Sequence, residues 1–306
     1  MKSNSKIYIA GHTGMVGSAI LRALINKGYN NLIFKKSSEL DLTNQKNVLD
    51  FFKQEKPEYV FLAAAKVGGI LANDSYGGQF LYENLMIQAN VINASHLSEV
   101  KKLLFLGSSC IYPKNSTNPI KESYLLNGIL EKTNEAYSIA KISGLKMCEY
   151  YNKQYGCNYI SIMPTNLYGP NDNYDLQSSH VLPALLKKFY DAKTNNKSEV
   201  VVWGSGLPKR EFLHVDDLAE ACVLVIKENT NEILFNVGSG TEISISDLAK
   251  LIKKIIGYDG DIIFDNSKPD GVMQKLIDSS RIKNLGWEFK INLETGIKKT
   301  LQNSFK

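Results

Sequence analysis

Ile7-Tyr8-Ile9-Ala10-Gly11-His12-Thr13-Gly14-Met15-Val16-Gly17 is the stretch on which the fold turns. Ile7 to Ala10 read as a short buried strand. Glycines three apart follow, and then Ile20, Leu21, Leu24 and Ile25 recur at helical spacing until Gly28. Strand, glycine turn and helix in that order are the context of a dinucleotide fingerprint, written here as G-x-x-G-x-x-G instead of G-x-G-x-x-G. The glycines allow a tight turn, close backbone approach to a pyrophosphate, and close packing of helix on strand. The positive helix N-terminus attracts the phosphates. Gly11, His12, Thr13, Gly14, Met15, Val16 and Gly17 are therefore candidate cofactor contacts.

Working outward, Leu32 to Phe34 read as a second strand. An acid at its end would hold the ribose 2′-hydroxyl of NAD. The chain instead runs Lys35-Lys36-Ser37-Ser38, with no acid before Glu39. Positive charge there fits a 2′-phosphate, so NADPH is expected with Lys36 as a contact; a merely solvated turn is the competing reading. Tyr59 to Ala65 form a third strand, with Lys66 to Ile70 as a loop at its C-terminal end, where open α/β sheets bind ligands. A helix follows over about Phe80 to Leu97, and Asn84 and Asn90 within it are expected to bond locally. Lys102 to Leu106 is a fourth strand running into Gly107-Ser108-Ser109-Cys110-Ile111-Tyr112-Pro113, which places a hydroxyl and a thiol past a strand end.

Thr133-Asn134-Glu135 should cap a helix that carries Tyr137 and Lys141, four residues and about one turn apart on one face. A phenol titrates near ~10. A cation beside it stabilises the phenolate and moves its pKa towards the working range. The pair alone also fits an ordinary amphipathic face; the glycine turn and Ser108 weigh towards chemistry. Asn158 to Met163 is a fifth strand. Strands alternating with helices predict an α/β fold, a doubly wound parallel Rossmann sheet, over residues 1–170.

From 171 to 306 the pattern predicts a smaller, discontinuous, mainly substrate-binding domain, with a strand near 233–238 returning to the sheet. His180 opens an apolar helix, and the spacing leaves a solvated or a functional role open. Trp203 near Arg210 fits base stacking and a phosphate grip. The 306 residues are 43% hydrophobic and 22% charged, with a net charge of +5 and no basic block, so nucleic acid is not an expected partner. No run of about 18 apolar residues predicts a membrane span. The N-terminal stretch lacks a signal peptide's long apolar region, and a cytoplasmic location is expected. The cysteines Cys110, Cys148, Cys157 and Cys222 form no C-x-x-C pair, so no metal site is expected.

Together the glycine turn, Ser108 and Tyr137-Ser138-Ile139-Ala140-Lys141 resemble the extended short-chain dehydrogenase/reductase family. The stretches 10–18, 62–70, 107–113, 163–170, 202–206 and 210–217 narrow the resemblance to the GDP-L-fucose synthases within it. That resemblance implies C3 and C5 epimerisation of a GDP-4-keto-6-deoxy sugar followed by C4 reduction with NADPH, in a homodimer. It implies Tyr137 as proton donor, Lys141 as its partner and a nicotinamide-ribose contact, Ser108 on the carbonyl oxygen, and Cys110 and His180 as epimerisation base and acid. Leu106, Gly107, Pro164, Asn166, Leu167 and His180 fall at cofactor positions. Lys188, Trp203, Arg210, Asp265 and Asp270 fall where the family holds the GDP-sugar. Many members of the family carry Arg at the positions of Thr13 and Ser37, and Lys35 and Lys36 are expected to compensate. Relatives acting on other GDP-4-keto sugars, including heptoses, some of them reducing without epimerising, are the alternative implied.

Overall fold

The computed structural model describes residues 1–268 and 270–305. β1 (Ile7–Ala10) is buried throughout and leads through the glycine turn into α1 (Met15–Asn26). β2 (Leu32–Ile33), α2 (Gln45–Glu55), β3 (Tyr59–Leu62), α3 (Ile70–Ser75), α4 (Gly77–Leu97), β4 (Lys102–Leu106), α5 (Glu135–Tyr155) and β5 (Tyr159–Pro164) follow. Local chemistry fixes several ends. The Asn44 side chain accepts the Asn47 amide to start α2, and left-handed Gly156 stops α5.

Then come β6 (Asn166–Tyr168), α6 (Val181–Thr194), β7 (Glu199–Trp203), β8 (Lys209–His214), α7 (Val215–Lys227) and β9 (Leu234–Val237). β10 (Glu242–Ser244), α8 (Ile245–Ile256), β11 (Asp261–Asp265), β12 (Gln274–Lys275), α9 (Ser280–Asn284) and α10 (Leu293–Ser304) complete the chain. The main sheet runs β2-β1-β3-β4-β5-β9, every pair parallel. β9 returns beside β5 from beyond residue 230, as its apolar run predicts. The strand order reverses between β1 and β3, and that switch point opens the crevice in which such sheets hold ligands.

One face of the sheet is covered by α1 and α7, with Trp287 sealing the edge. The other is covered by α2, α4 and α5. A third core joins α6, α8 and α10 to β7 and β8. β8, which sequence pattern did not reveal, centres a second small sheet: it pairs antiparallel with β10 and parallel with β6 and β12.

Three local expectations change. A 3₁₀ turn at Lys132–Asn134 precedes α5, and Asn134 makes no capping bond with its side chain. α4 starts at Gly77, three residues early, behind the separate α3. Asn84 and Asn90 do more than bond locally. The Asn84 amide both accepts the Lys66 N–H and donates to the Lys66 carbonyl. Asn90 donates to the carbonyls of Leu42 and Thr43. α4 thereby pins two loops at the ligand edge of the sheet.

Candidate active site

The glycine turn assigns its residues separate tasks. Gly11 lies at φ +87°, open to glycine at little cost, and a side chain there would press on the Ala64 backbone at 2.7 Å. A Cβ on Gly17 would fall 2.5 Å from the Gly11 carbonyl carbon and 2.9 Å from His12 Cα, so this glycine brings α1 onto the turn. Gly14 differs: a Cβ would meet only the Gly11 oxygen, at an ordinary 3.5 Å. The protein's own packing does not demand glycine there, and the space it leaves lies at the start of α1. That helix start has no side-chain cap and no acid in its first turn, so its amides remain available to an anion. His12 stacks on Phe34 with ring centroids 4.7 Å apart, and its Nδ1 is buried without a hydrogen-bond partner. An unblocked helix start, a glycine open to the outside and an orphaned nitrogen beside it fit a dinucleotide phosphate. Thr13 is exposed in the same turn.

At the second strand's end, Lys35 and Lys36 lie in an exposed turn. The Lys36 amide donates to Glu39 Oε2 at 2.8 Å, and Lys35 Nζ is 4.0 Å from the same carboxylate. Positive and negative charge therefore share the place where an adenosine 2′-phosphate would be read.

The crevice floor comes from β4 and α5. Lys141 is 3% exposed, and its ammonium donates to the Leu106 carbonyl at 2.7 Å. It stands 4.9 Å over the Phe105 ring and 5.7 Å from the Tyr137 ring centroid. Burial lowers its pKa to about 8, an effect that negative charge at Cys110 opposes. Gly107 donates to the Ile162 carbonyl, and a side chain on it would run into Met163. Ser108 and Cys110 flank the start of a 3₁₀ turn, Ser109–Ile111, with the Cys110 amide donating to Ser108 Oγ at 3.3 Å.

Tyr137 departs from the sequence argument. Its phenol is pushed well above its ordinary value by burial, and then by negative charge on Cys110. Lys141 spends its ammonium on Leu106. The phenol is accordingly held protonated, the form a proton donor needs. Ser138, next to Tyr137 on α5, donates to the Cys110 carbonyl at 3.0 Å, so the turn bearing the thiol lies against the helix of the Tyr137–Lys141 pair, and charge at Cys110 acts on both.

His180 is the N-cap residue of α6, yet its ring makes no capping bond. It is exposed to solvent on one side, while the protein crowded around the other lowers its pKa. It ends a strap, residues 171–180, that is tied at two points to the first lobe, meaning the main sheet with the helices on its two faces; the second lobe is the third core with the small sheet centred on β8. Asn171 donates to Ser18 Oγ on α1, and the Gly69 amide donates to the Ser178 carbonyl at 2.6 Å. Pro164 ends β5. The Asn166 amide donates to the Glu211 carbonyl, and Leu167 packs beside the first core.

The remaining predicted residues line the second lobe. Trp203 is 49% exposed, with two ammonium groups over its ring, Lys188 Nζ at 5.2 Å and Lys268 Nζ at 5.6 Å from the centroid. Lys188 also donates to the Val201 carbonyl. Arg210 lies in β8, with its pKa lowered by burial and raised again by Asp270 and Glu242. Asp270 holds the Ser205 amide and hydroxyl at 2.7 and 2.8 Å, and Asp265 holds those of Ser267. Both carboxylates thus shape turns around Trp203 and β11.

Two residues escaped sequence reasoning. Lys275 sits opposite Arg210 in the β8–β12 pairing. Burial lowers its pKa, with Cys110 opposing that shift and Arg210 adding to it. Glu211 is fully buried and holds the amides of Gly240 and Ile277, fixing the loops on either side of β8. Neither has a motif: a lysine in a two-residue strand carries no periodicity, and Glu211 is marked only by its long-range partners.

Residues 7–238 match the NAD dependent epimerase/dehydratase family. The chain is 55% identical to GDP-L-fucose synthase 1 of Arabidopsis thaliana, covering 97% of this chain and 92% of that one. It is 52% identical to GDP-L-fucose synthase of Escherichia coli, covering 98% and 96%. Among solved structures, a GDP-mannoheptose C4 reductase from Campylobacter jejuni with NADP bound superposes with a TM-score of 0.92 at 44% identity, over 100% of both chains.

Proposed function

The chain belongs to the NAD dependent epimerase/dehydratase family, and we propose that it converts GDP-4-keto-6-deoxymannose to GDP-L-fucose by epimerising C3 and C5 and reducing C4 with NADPH. The observation that carries the reading is the thiol of Cys110 set among the reductase residues Ser108, Tyr137 and Lys141. A ketone reduction needs a proton donor and a carbonyl hydrogen bond; a base beside them adds proton removal at the carbons flanking that carbonyl.

When bound, the cofactor supplies the hydride for C4. Tyr137 gives its proton to the C4 oxygen, which its elevated pKa keeps available. Lys141 holds the phenol's surroundings positive and returns charge as that proton leaves. Ser108 donates to the same oxygen, both in reduction and in the enolate that precedes it. The 4-keto group acidifies C3–H and C5–H, and Cys110 takes a proton that His180 replaces from the other side. His180 acts as the acid in its imidazolium form; its lowered pKa makes that form a minor one near neutral pH and a ready proton donor, and solvent returns the proton to the exposed ring. Lys188, Trp203, Arg210 and Lys275 hold the GDP portion in the lobe built mainly from 171–306, with Asp265 and Asp270 shaping that surface.

The protein is also proposed to be a homodimer. α4 and α5 pack on each other and leave Tyr82, Leu97, Ile139, Tyr150 and Tyr155 on the surface, an apolar set suited to the same helices of a second copy. Among the described residues no helix is long and apolar enough to cross a membrane.

Incubation with GDP-4-keto-6-deoxymannose and NADPH in heavy water, with NMR and mass analysis of the product, tests the reading. GDP-L-fucose carrying deuterium at both C3 and C5 is expected. NADPH oxidation without deuterium at those carbons would establish a 4-reductase alone, the second reading favoured by the similarity to the heptose C4 reductase.

A further inference from the structure

We propose that Tyr112 and Asn236 are positioning residues for Cys110, an assignment that rests on the epimerase half of the reading above. The 3₁₀ turn Ser109–Ile111 is too short to define its own position. Three outside anchors do so. Ser108 Oγ accepts the Cys110 amide, and Ser138 Oγ, on the helix of Tyr137, donates to the Cys110 carbonyl at 3.0 Å. The third is Tyr112, two residues past the thiol. It is 3% exposed, and its hydroxyl donates to Asn236 Oδ1 at 2.6 Å.

Asn236 is fully buried in β9 and is engaged on every side. Its Nδ2 donates to the Ile120 carbonyl at 2.9 Å and its backbone amide to Glu122 Oε1 at 2.9 Å. Ile120 continues the chain of bonds into the second lobe. Its amide donates to the Leu276 carbonyl, and its carbonyl also accepts the Asp278 amide, each at 2.8 Å. Between those residues the Ile277 amide donates to Glu211. One asparagine therefore joins the turn bearing the thiol, the loop around Ile120, and the segment bearing Lys275 opposite Arg210.

This junction sets where Cys110 stands relative to groups that bind the sugar nucleotide. A base must lie within hydrogen-bond reach of the proton it takes. Displacement by about 1 Å is enough to cost on the order of a hundredfold. Deleting the Tyr112 hydroxyl leaves Asn236 Oδ1 buried without a donor and frees the far side of the turn. Tyr137 and Lys141 sit on α5 and keep their anchors.

The test is Tyr112→Phe, with two rates measured on the same preparation. One is deuterium entry at C3 and C5 of GDP-4-keto-6-deoxymannose in heavy water. The other is oxidation of NADPH by the already epimerised 4-keto intermediate, so that the second rate does not wait on the first. Their ratio does not depend on how much of the variant folds. It is expected to fall by about tenfold or more, while NADPH affinity by fluorescence titration stays unchanged. An unchanged ratio, or an equal fall in both rates, would overturn the assignment. A wild-type enzyme that exchanges neither carbon would sink the epimerase reading instead. In that case alkylation of Cys110 by iodoacetamide, followed by peptide mass spectrometry, decides: a several-fold faster reaction in Tyr112→Phe supports the positioning role, and an equal rate refutes it.

Discussion

The two regions proposed to bind ligand are built differently. At the ligand edge of the main sheet the working parts are backbone and buried side chains: the positive φ of Gly11, the bare start of α1, and Lys141 locked to the Leu106 carbonyl. In the second lobe they are side chains in the open: Trp203 with Lys188 and Lys268 over its ring, and Asp265 and Asp270 bracing the turns beside them. The first arrangement is rigid before any ligand arrives, so ligand binding there loses little conformational entropy. The second leaves long cationic side chains that a ligand would have to order, so on the proposed reading its contribution is to affinity and choice of nucleotide more than to rate. Damage to the first lobe should therefore strike turnover and cofactor binding. Damage to the second should strike KM.

Tyr137→Phe tests the first half of that contrast most severely. Losing a positioned proton donor should lower reduction by about 10²- to 10⁴-fold, while NADPH titration of the variant stays near wild type. Turnover close to wild type would remove Tyr137 from the chemistry and dissolve the contrast. Gly17→Ala comes next. Its methyl group would overlap the Gly11 carbonyl and His12 Cα, which are backbone and cannot swing aside. A thermal melt should report a loss of about 1–3 kcal/mol, and NADPH affinity should drop with it. Wild-type affinity in a folded Gly17→Ala protein would mean that the turn is less rigid than its packing implies.

The same contrast explains what was legible in the sequence. The glycine turn and the Tyr137–Lys141 pair are defined by spacing within one turn and one helix, so they can be read without knowing the fold. Even there, burial and then charge at Cys110 reversed the expected sense of the phenol's pKa, while Lys141 donates to a carbonyl 35 residues away. β8 could not be read, since its pairing partners lie near residues 167, 243 and 275. Glu211 and Lys275 went unseen for that reason. Asp265 and Asp270 were visible as acids in a loop. The sequence did not contain the fact that Ser267 and Ser205 occupy their oxygens. Asn84 makes the local bond expected of it, to the Phe80 carbonyl, but adds partners from a loop 18 residues away, and those of Asn90 lie about 48 residues away.

A pH profile sharpens the comparison within the first lobe. Burial brings Lys141 down to about 8. The ammonium is the active form, so its population is nearly full near neutral pH and half lost at about pH 8. Above that it declines about tenfold per unit. The kcat/KM for reduction should therefore fall on the alkaline side from about pH 8. A Lys141→Arg variant, charged throughout, should lose this limb while working more slowly. A wild-type profile flat to about pH 10 would show that Lys141 keeps an ordinary lysine pKa.

Trp203→Ala probes the second lobe and should have the smallest effect. Stacking a base on an aromatic ring is worth about 1–3 kcal/mol, and the flanking ammonium groups add about 0.5–1 kcal/mol at an exposed site. Part of that is recovered in the variant, because Lys188 keeps its bond to the Val201 carbonyl and remains at the surface. The net expectation is a KM for the GDP-sugar raised by about tenfold with kcat within about twofold of wild type. Trp203→Phe, which keeps a ring for the cations to face, should recover most of the loss. A fall in kcat at unchanged KM would mean that Trp203 acts on the reacting sugar, and that the second lobe shares in the chemistry instead of only holding the nucleotide.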